Sequence, residues 1–415
     1  MKLKNLFKES PKALLIFFTI AALASCATYQ DKVAEPKRLL SLGQVDVALA
    51  KLQELAAKPG GDQLVYQLEY ATALQVAGQY KESASAFIKA DKLLDVNDYH
   101  SVSNVIGAAL GGEEAIQYKG ESFEKFLVNT MNAINFLMLG QYDDALVEAR
   151  RINEKINKMK MDGRDPYEQS PFARYLSSLL WEASGNMDSA YIELEGAYML
   201  DPNIPNIHQD LVRMAKKSRR EDALKKWKKQ FPEVKEDPKW TDRNRSELIV
   251  IFQQGWGPEK RPRPQSPRFP KLFPVHSEVQ SARIVVDGKN QKETELLYNI
   301  EKVSIDTLEK DYGSLVARRV GGIVAKEVVA DQIRQKDELL GAVAWVVMHA
   351  SDRADLRQWS TLPRSIQIAR IPLPPGKYNV QVEALGYGST RDVKVFEKVE
   401  LRPSKMVFLN SRSLK

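Results

Sequence analysis

Few residues of this 415-residue chain carry chemistry by type and spacing. Its one cysteine, Cys26, follows Leu23-Ala24-Ser25. A thiolate is the side chain best able to accept an alkyl group near neutral pH, so one covalent modification site is expected there. A lone cysteine forms neither an internal disulfide nor a cysteine-cluster metal site, and His100, His208, His276 and His349 stand without ligand spacing. Two polar clusters remain. Tyr118, Glu121 and Glu124 could face a ligand, although both acids also suit the first turn of a helix, where the dipole attracts them, and that second reading is favoured. Asp352, Asp355, Arg357 and Trp359 form the other cluster, but a carboxylate beside an arginine is more often an ion pair than catalytic machinery. There is no Gly-x-Ser-x-Gly elbow, phosphate-binding glycine loop or His-Glu pair at metal spacing. The expectation is a protein that is not an enzyme and needs no cofactor, with Tyr118, Glu121, Glu124, Asp355, Arg357 and Trp359 as candidate partner-binding residues.

The elements that must position these groups fall into two regions, as the length alone suggests. The net charge of +7 is modest, and Lys2, Lys4, Lys8 and Lys12 against Glu9 supply three of those charges, so no nucleic-acid partner is indicated. From Ala34 to about Asp242 a figure recurs. Gly78, Tyr80, Ser83, Phe87 and Ala90 share their spacing with Gly140, Tyr142, Ala145, Ala149 and Ile152, with Gly185, Met187, Ala190, Leu194 and Ala197, and more weakly with Gly43, Val45, Ala48, Leu52 and Leu55. Large residues at the second and fourth positions would fill the space between helices, and small ones let backbones approach. The offsets resemble the second-helix half of the tetratricopeptide repeat. Glycine intervals of 35, 62 and 45 residues mean an interrupted array. The longest interruption, Asp95 to Glu121, is apolar enough around Val105–Gly112 to tuck into the concave face or cap a helix pair. Arg213, Lys216, Lys217, Arg219, Arg220, Lys225, Lys226, Lys228 and Lys229 read as one basic helix. It could meet anionic lipid, but a polar face closing the array is the favoured reading.

After Asp242 the period becomes that of strands: Ser246–Gln253, Ala282–Gly288, Ile366–Arg370, Asn379–Ala384 and Lys405–Asn410. Gly255 to Pro274, rich in proline and basic residues, reads as an extended loop, either a docking peptide or a long hairpin connection. Ile305, Leu308, Tyr312, Leu315, Val316 and Val320 mark a helix, and Leu339–Met348 a buried helix or inserted hairpin too short to span a membrane. Leu373-Pro374-Pro375-Gly376-Lys377-Tyr378 reads as a turn joining two successive strands. The fold class expected is α plus α/β: a repeat solenoid over 34–242 and a smaller mixed α+β domain with a β-sheet over 245–415.

The N-terminus places the chain. Lysines, the apolar run Ala13–Ala22 and Leu23-Ala24-Ser25-Cys26 resemble a bacterial lipoprotein signal and its lipobox. The resemblance implies removal of 1–25, lipidation (palmitate) of Cys26 and a short tether over 26–33. Ala27, where Asp would mark inner-membrane retention, implies the outer membrane, facing the periplasm. An uncleaved signal anchor is the competing reading, disfavoured by the short apolar run. The lipobox, the Tyr118–Glu124 block, the Gly140 repeat and Asp355–Pro375 with its Arg-Gln-Trp-Ser-Thr-Leu-Pro core resemble a family of uncharacterised bacterial lipoproteins with tetratricopeptide repeats; the Pro-Pro-Gly-Lys-Tyr turn is similar to small β-domains of envelope proteins. Two functions stand: a scaffold or adaptor that holds envelope proteins on its repeat face, as lipoproteins do that activate peptidoglycan synthases or support polysaccharide and appendage export, or a peptidoglycan- or carbohydrate-binding or -active protein using the second region's aromatic and acidic residues.

Overall fold

The computed structural model describes residues 28–99, 117–161, 171–242, 244–335 and 353–415. Cys26, Val105–Gly112, Leu339–Met348 and Asp352 lie outside the described residues. The helical half consists of α1 (Tyr29–Ser41), α2 (Val45–Ala57), α3 (Gln63–Val76), α4 (Tyr80–Tyr99), α5 (Ser122–Met138), α6 (Tyr142–Met161), α7 (Pro171–Ala183), α8 (Met187–Leu200), α9 (Ile207–Lys217) and α10 (Glu221–Gln230). They pair as antiparallel hairpins stacked into a solenoid. At each of the first four recurrent glycines one helix ends and the next begins two residues later, as the spacing requires. Gly140 adopts φ +68°, its N–H bonds Leu137 O and Gln141 N–H bonds Phe136 O, the helix-ending pattern that needs a left-handed residue.

Two expectations are corrected here. The first helix begins at Tyr29, inside the stretch expected to be a tether, because Thr28 and Asp31 form a capping box and Tyr29 and Val33 are buried. The basic stretch from Arg213 is two helices, α9 and α10, not one. Arg219 takes φ +57° between them, with its N–H on Lys216 O and Arg220 N–H on Ala215 O, so it stands where the other turns have glycine. It lies 34 residues after Gly185, making a fifth hairpin.

The second half contains β1 (Ser246–Gln254), β2 (Glu259–Arg263), β3 (Ser266–Phe273), β4 (Val279–Val286), β5 (Lys289–Glu293), β6 (Glu295–Asn299), α11 (Ile300–Arg334), β7 (Ser365–Leu373), β8 (Gly376–Gly386), β9 (Ser389–Leu401) and β10 (Met406–Ser413). One sheet runs β10-β1-β7-β6, with β1 and β10 parallel; a second runs β5-β4-β8-β9. The Pro374-Pro375 turn therefore passes the chain from one sheet to the other instead of closing a hairpin: β7 pairs with β1 and β6, β8 with β4 and β9. The proline-rich loop is the hairpin β2–β3, lying against α11 with Phe269 edge-on to Tyr312 at 5.4 Å.

Three layers result. Leu248, Val250 and Phe252 of β1 pack into the sandwich core with Ile284, Val382 and Ile371, while Ile249 and Ile251 join the solenoid core. The first sheet is thus buried on both faces, which explains why β1 is apolar without alternation. Its solenoid-facing side includes Glu247, Gln253, Ile366, Ile368, Arg370, Phe408, Asn410 and Arg412.

Candidate functional site: a groove filled by its own chain

The six candidate residues meet in one place, and they bind one another. Residues 355–363 run as an extended strap across α1, α3 and the start of α5, sealed from water along most of its length. Glu121 and Glu124 do cap α5: Glu124 at the third position accepts the Glu121 N–H at 3.0 Å. The same Glu124 carboxylate also accepts the Tyr118 hydroxyl at 2.6 Å and the strap's Trp359 N–H at 2.8 Å. One side chain therefore serves both readings offered by the sequence. Burial, reinforced by the charge of Glu121, pushes the Glu124 carboxyl up to about 7.

Arg357 closes around Asp355, with Nε on Oδ1 at 2.9 Å and Nη2 on Oδ2 at 2.7 Å, and reaches Asp62 of the solenoid at 3.2 Å. Its guanidinium lies 5.5 Å from the Tyr118 ring centroid. Against the desolvation that opposes any buried carboxylate, Arg357 holds Asp355 below its ordinary range. Trp359 is 3% exposed; its indole N–H donates to Thr72 Oγ1 at 2.8 Å and its ring meets Phe87 at 5.7 Å. Lys260 of β2 binds both Glu121 and the Arg357 carbonyl, tying the hairpin to the strap. Behind the strap remains a cavity of about 20 Å³, room for one water.

Sequence reasoning missed the receptor half of this arrangement. Glu69 on α3, fully buried, accepts the Ser360 and Thr361 N–H groups and lies against the Tyr29 hydroxyl. Deeper in the groove, amides bridge the layers: Gln253 Nε2 donates to Gln75 Oε1 at 3.0 Å, Gln75 to Asn135 Oδ1 at 2.7 Å, and Asn135 to Ser83 Oγ at 2.8 Å. At the far end Arg370 of β7 enters the solenoid, bonding Asp210 Oδ1 at 2.9 Å and Glu247 Oε2 at 2.8 Å, with Glu182 Oε2 at 3.5 Å. The only advance signal was polar residues placed on apolar helix faces. The basic stretch is largely spoken for: Arg213 and Lys217 pair with Glu182, Lys216 and Lys228 with Glu236, Arg220 with Asp188 and Lys226 with Glu195.

Fold and site together define a protein of tetratricopeptide-like helical hairpins whose concave face holds its own β-sandwich and strap. About half of the chain overlaps MamA from Desulfovibrio magneticus RS-1 (22% identity, TM-score 0.32, 49% of this chain and 93% of that one). It also overlaps a Podosopora anserina protein of nearly identical TPR-like repeats (15%, 0.33, 49% and 93%) and a tetratricopeptide repeat protein from Parabacteroides merdae (13%, 0.22, 50% and 80%). No protein-family model matches the sequence, and no curated protein matches it. Among the described residues no helix is long and apolar enough to cross a membrane, and no group of three or more His, Cys, Asp or Glu is placed to hold a metal ion.

Proposed function

We propose that this chain is a non-catalytic scaffold of the bacterial envelope, anchored in the outer membrane by lipid on Cys26, facing the periplasm and binding proteins of envelope assembly. The anchor rests on the lipobox-like Leu23–Cys26. The scaffold reading rests on the repeat architecture, and one observation sharpens it: the concave groove, the usual place for a repeat protein's ligand, is filled by residues 355–363. Partners therefore meet the outer surface of the protein. The same observation disfavours carbohydrate binding through the second region, since Asp355 and Trp359 are turned into the groove.

Two measurements test this. Cys26→Ser should abolish incorporation of labelled palmitate; label remaining on that variant overturns the anchor. A photo-crosslinking residue at exposed Val147 or Ile192 should capture a defined envelope protein in intact cells, while one at Trp359 crosslinks only within the chain. Tight binding to purified peptidoglycan with no protein captured would overturn the scaffold reading.

A further inference from the structure

Cys26 lies two residues before Thr28, whose capping box with Asp31 starts α1. Two residues of extended backbone reach about 7 Å, so a lipid on Cys26 holds the bilayer surface close to the first turn of α1. That turn is fixed to the rest of the protein. Tyr29 is buried with its hydroxyl on the Gln358 carbonyl, and Gln30 Nε2 donates to the Lys260 carbonyl of β2. The hairpin β2–β3 therefore begins beside the anchor. Between Glu259 and Phe273 it carries five cations, Lys260, Arg261, Arg263, Arg268 and Lys271, against one acid, Glu259.

Pleating divides these residues between two faces. Lys260 and Leu272, opposite one another, are buried, with Lys260 on Glu121. The next opposed pair, Arg261 and Lys271, stands on the other face, and each cation lies 5.8 Å from the Phe273 ring centroid. Arg263 is committed to α11, with Glu309 at 2.9 Å, while Arg268 near the turn is exposed. Glu259 pairs with Arg261, and its one charge cannot also cancel Lys271 and Arg268. Like charges directly opposite on a sheet face oppose its pairing, so an external anion would relieve Arg261 and Lys271. We infer that the hairpin β2–β3 rests on the leaflet that carries the anchor, with Arg261, Arg268 and Lys271 on anionic phospholipid headgroups and Phe273 at their level. The inference rests on the lipid anchor proposed above: the tether is too short to hold the hairpin far from the bilayer, and the charge that the hairpin turns outward is positive. Basic residues near an anionic surface add attraction that salt screens, so this contact orients a body that the lipid alone would leave free to swivel.

Amine footprinting tests this on the protein purified from membranes and reconstituted into vesicles of phosphatidylcholine, with or without phosphatidylglycerol. Acetylation of Lys271, read by mass spectrometry, should be about fivefold slower on the anionic vesicles, the effect of about one charge at such a surface. Exposed Lys225 on α10 should react equally on both. About 1 M salt, which shortens screening to about 3 Å, should abolish the difference, and Arg261→Gln combined with Arg268→Gln should remove most of it. Equal Lys271 rates on the two vesicles, or equal slowing of Lys225, overturns the proposal. Flotation of the same samples separates the two readings. Protein that floats with phosphatidylcholine vesicles yet shows equal Lys271 rates keeps its anchor and loses the hairpin contact; protein that fails to float with them has no anchor, and the inference falls with it.

Discussion

The solenoid grips the first sheet at two seams, and they are built on opposite electrostatic plans. Near the N-terminus, Glu69 and Glu124 are buried carboxylates satisfied chiefly by neutral donors, the strap's backbone N–H groups and tyrosine hydroxyls. Toward the C-terminal end, Glu182 and Asp210 meet Arg213, Lys217 and Arg370. Both carboxylates, Glu124 and Glu182, are pushed up by burial; Arg213, Lys217 and Arg370 overcome that at Glu182 and hold it well below the ordinary range, whereas Glu124 ends up raised. The lesson is that one helical scaffold can hold a peptide backbone at one end and a single charged side chain at the other, with opposite responses to acid.

The largest test of that contrast is Arg370→Ala. It would leave Asp210 with Arg213 alone and Glu247 without its cation at a largely buried seam, a loss of about 3–5 kcal/mol. Chemical denaturation should show it; a loss under 1 kcal/mol would mean that Arg213 and Lys217 alone neutralise the seam. At the strap the comparable change is Trp359→Ala, expected to cost about 3–4 kcal/mol through the emptied space beside Phe87 and the loss of the indole N–H bond to Thr72, whose own hydroxyl still donates to the Leu68 carbonyl. That variant should also expose the strap to proteolysis. Resistance equal to the parent would show that the backbone contacts to Glu69 and Glu124 hold the strap without the indole.

Acid separates the seams next. Because the folded-state value of Glu124 lies above the 4.5 ordinary for a glutamate, the folded state keeps its proton longer. Its contribution to stability is complete below about pH 4.5 and disappears as pH rises through about 7, a change of about 2 kcal/mol between pH 5.5 and 7.5. Glu182 runs the other way. Its value is depressed, so its contribution is present above the unfolded value and is lost as pH falls through the folded one, leaving the C-terminal seam unaffected in that window. Glu124→Gln should therefore flatten the decline in stability between pH 5.5 and 7.5. An unchanged slope in that variant would place the titration elsewhere.

What the sequence could and could not disclose follows the range of the interactions. The four glycine turns were legible because the left-handed residue and the helix it releases lie within a few positions of each other; the fifth, at Arg219, was not, because no glycine marks it. β1, β4, β7, β8 and β10 were legible from their apolar runs. β9, the longest strand, was not: Ser389–Leu401 is an edge strand whose Arg391, Lys394, Glu397 and Glu400 obscure its alternation. The six candidate residues were found, but their pairing across the groove was not. Ser360 and Glu69 are 291 residues apart, and nothing local in either stretch names the other. Polar residues that read as a surface for partners are consumed by the fold's own long-range contacts.

The smallest effect concerns the turns themselves. Gly140 and Arg219 hold nearly the same left-handed conformation, yet only one is glycine. No atom lies within 4 Å of where a Cβ would stand at Gly140, so substitution there meets backbone strain and no collision. Gly140→Val should accordingly cost about 1–2 kcal/mol, the price of a branched residue at positive φ. In Arg219→Gly the same strain is released, but the glycine also frees the unfolded chain, which takes back about 0.5–1 kcal/mol. The net expectation is a gain of about 0.5 kcal/mol, read as a slightly higher denaturant midpoint with unchanged slope. A loss instead would mean that Arg219 contributes a surface contact worth more than its strain. The fifth turn would then differ from the other four in chemistry as well as in residue type.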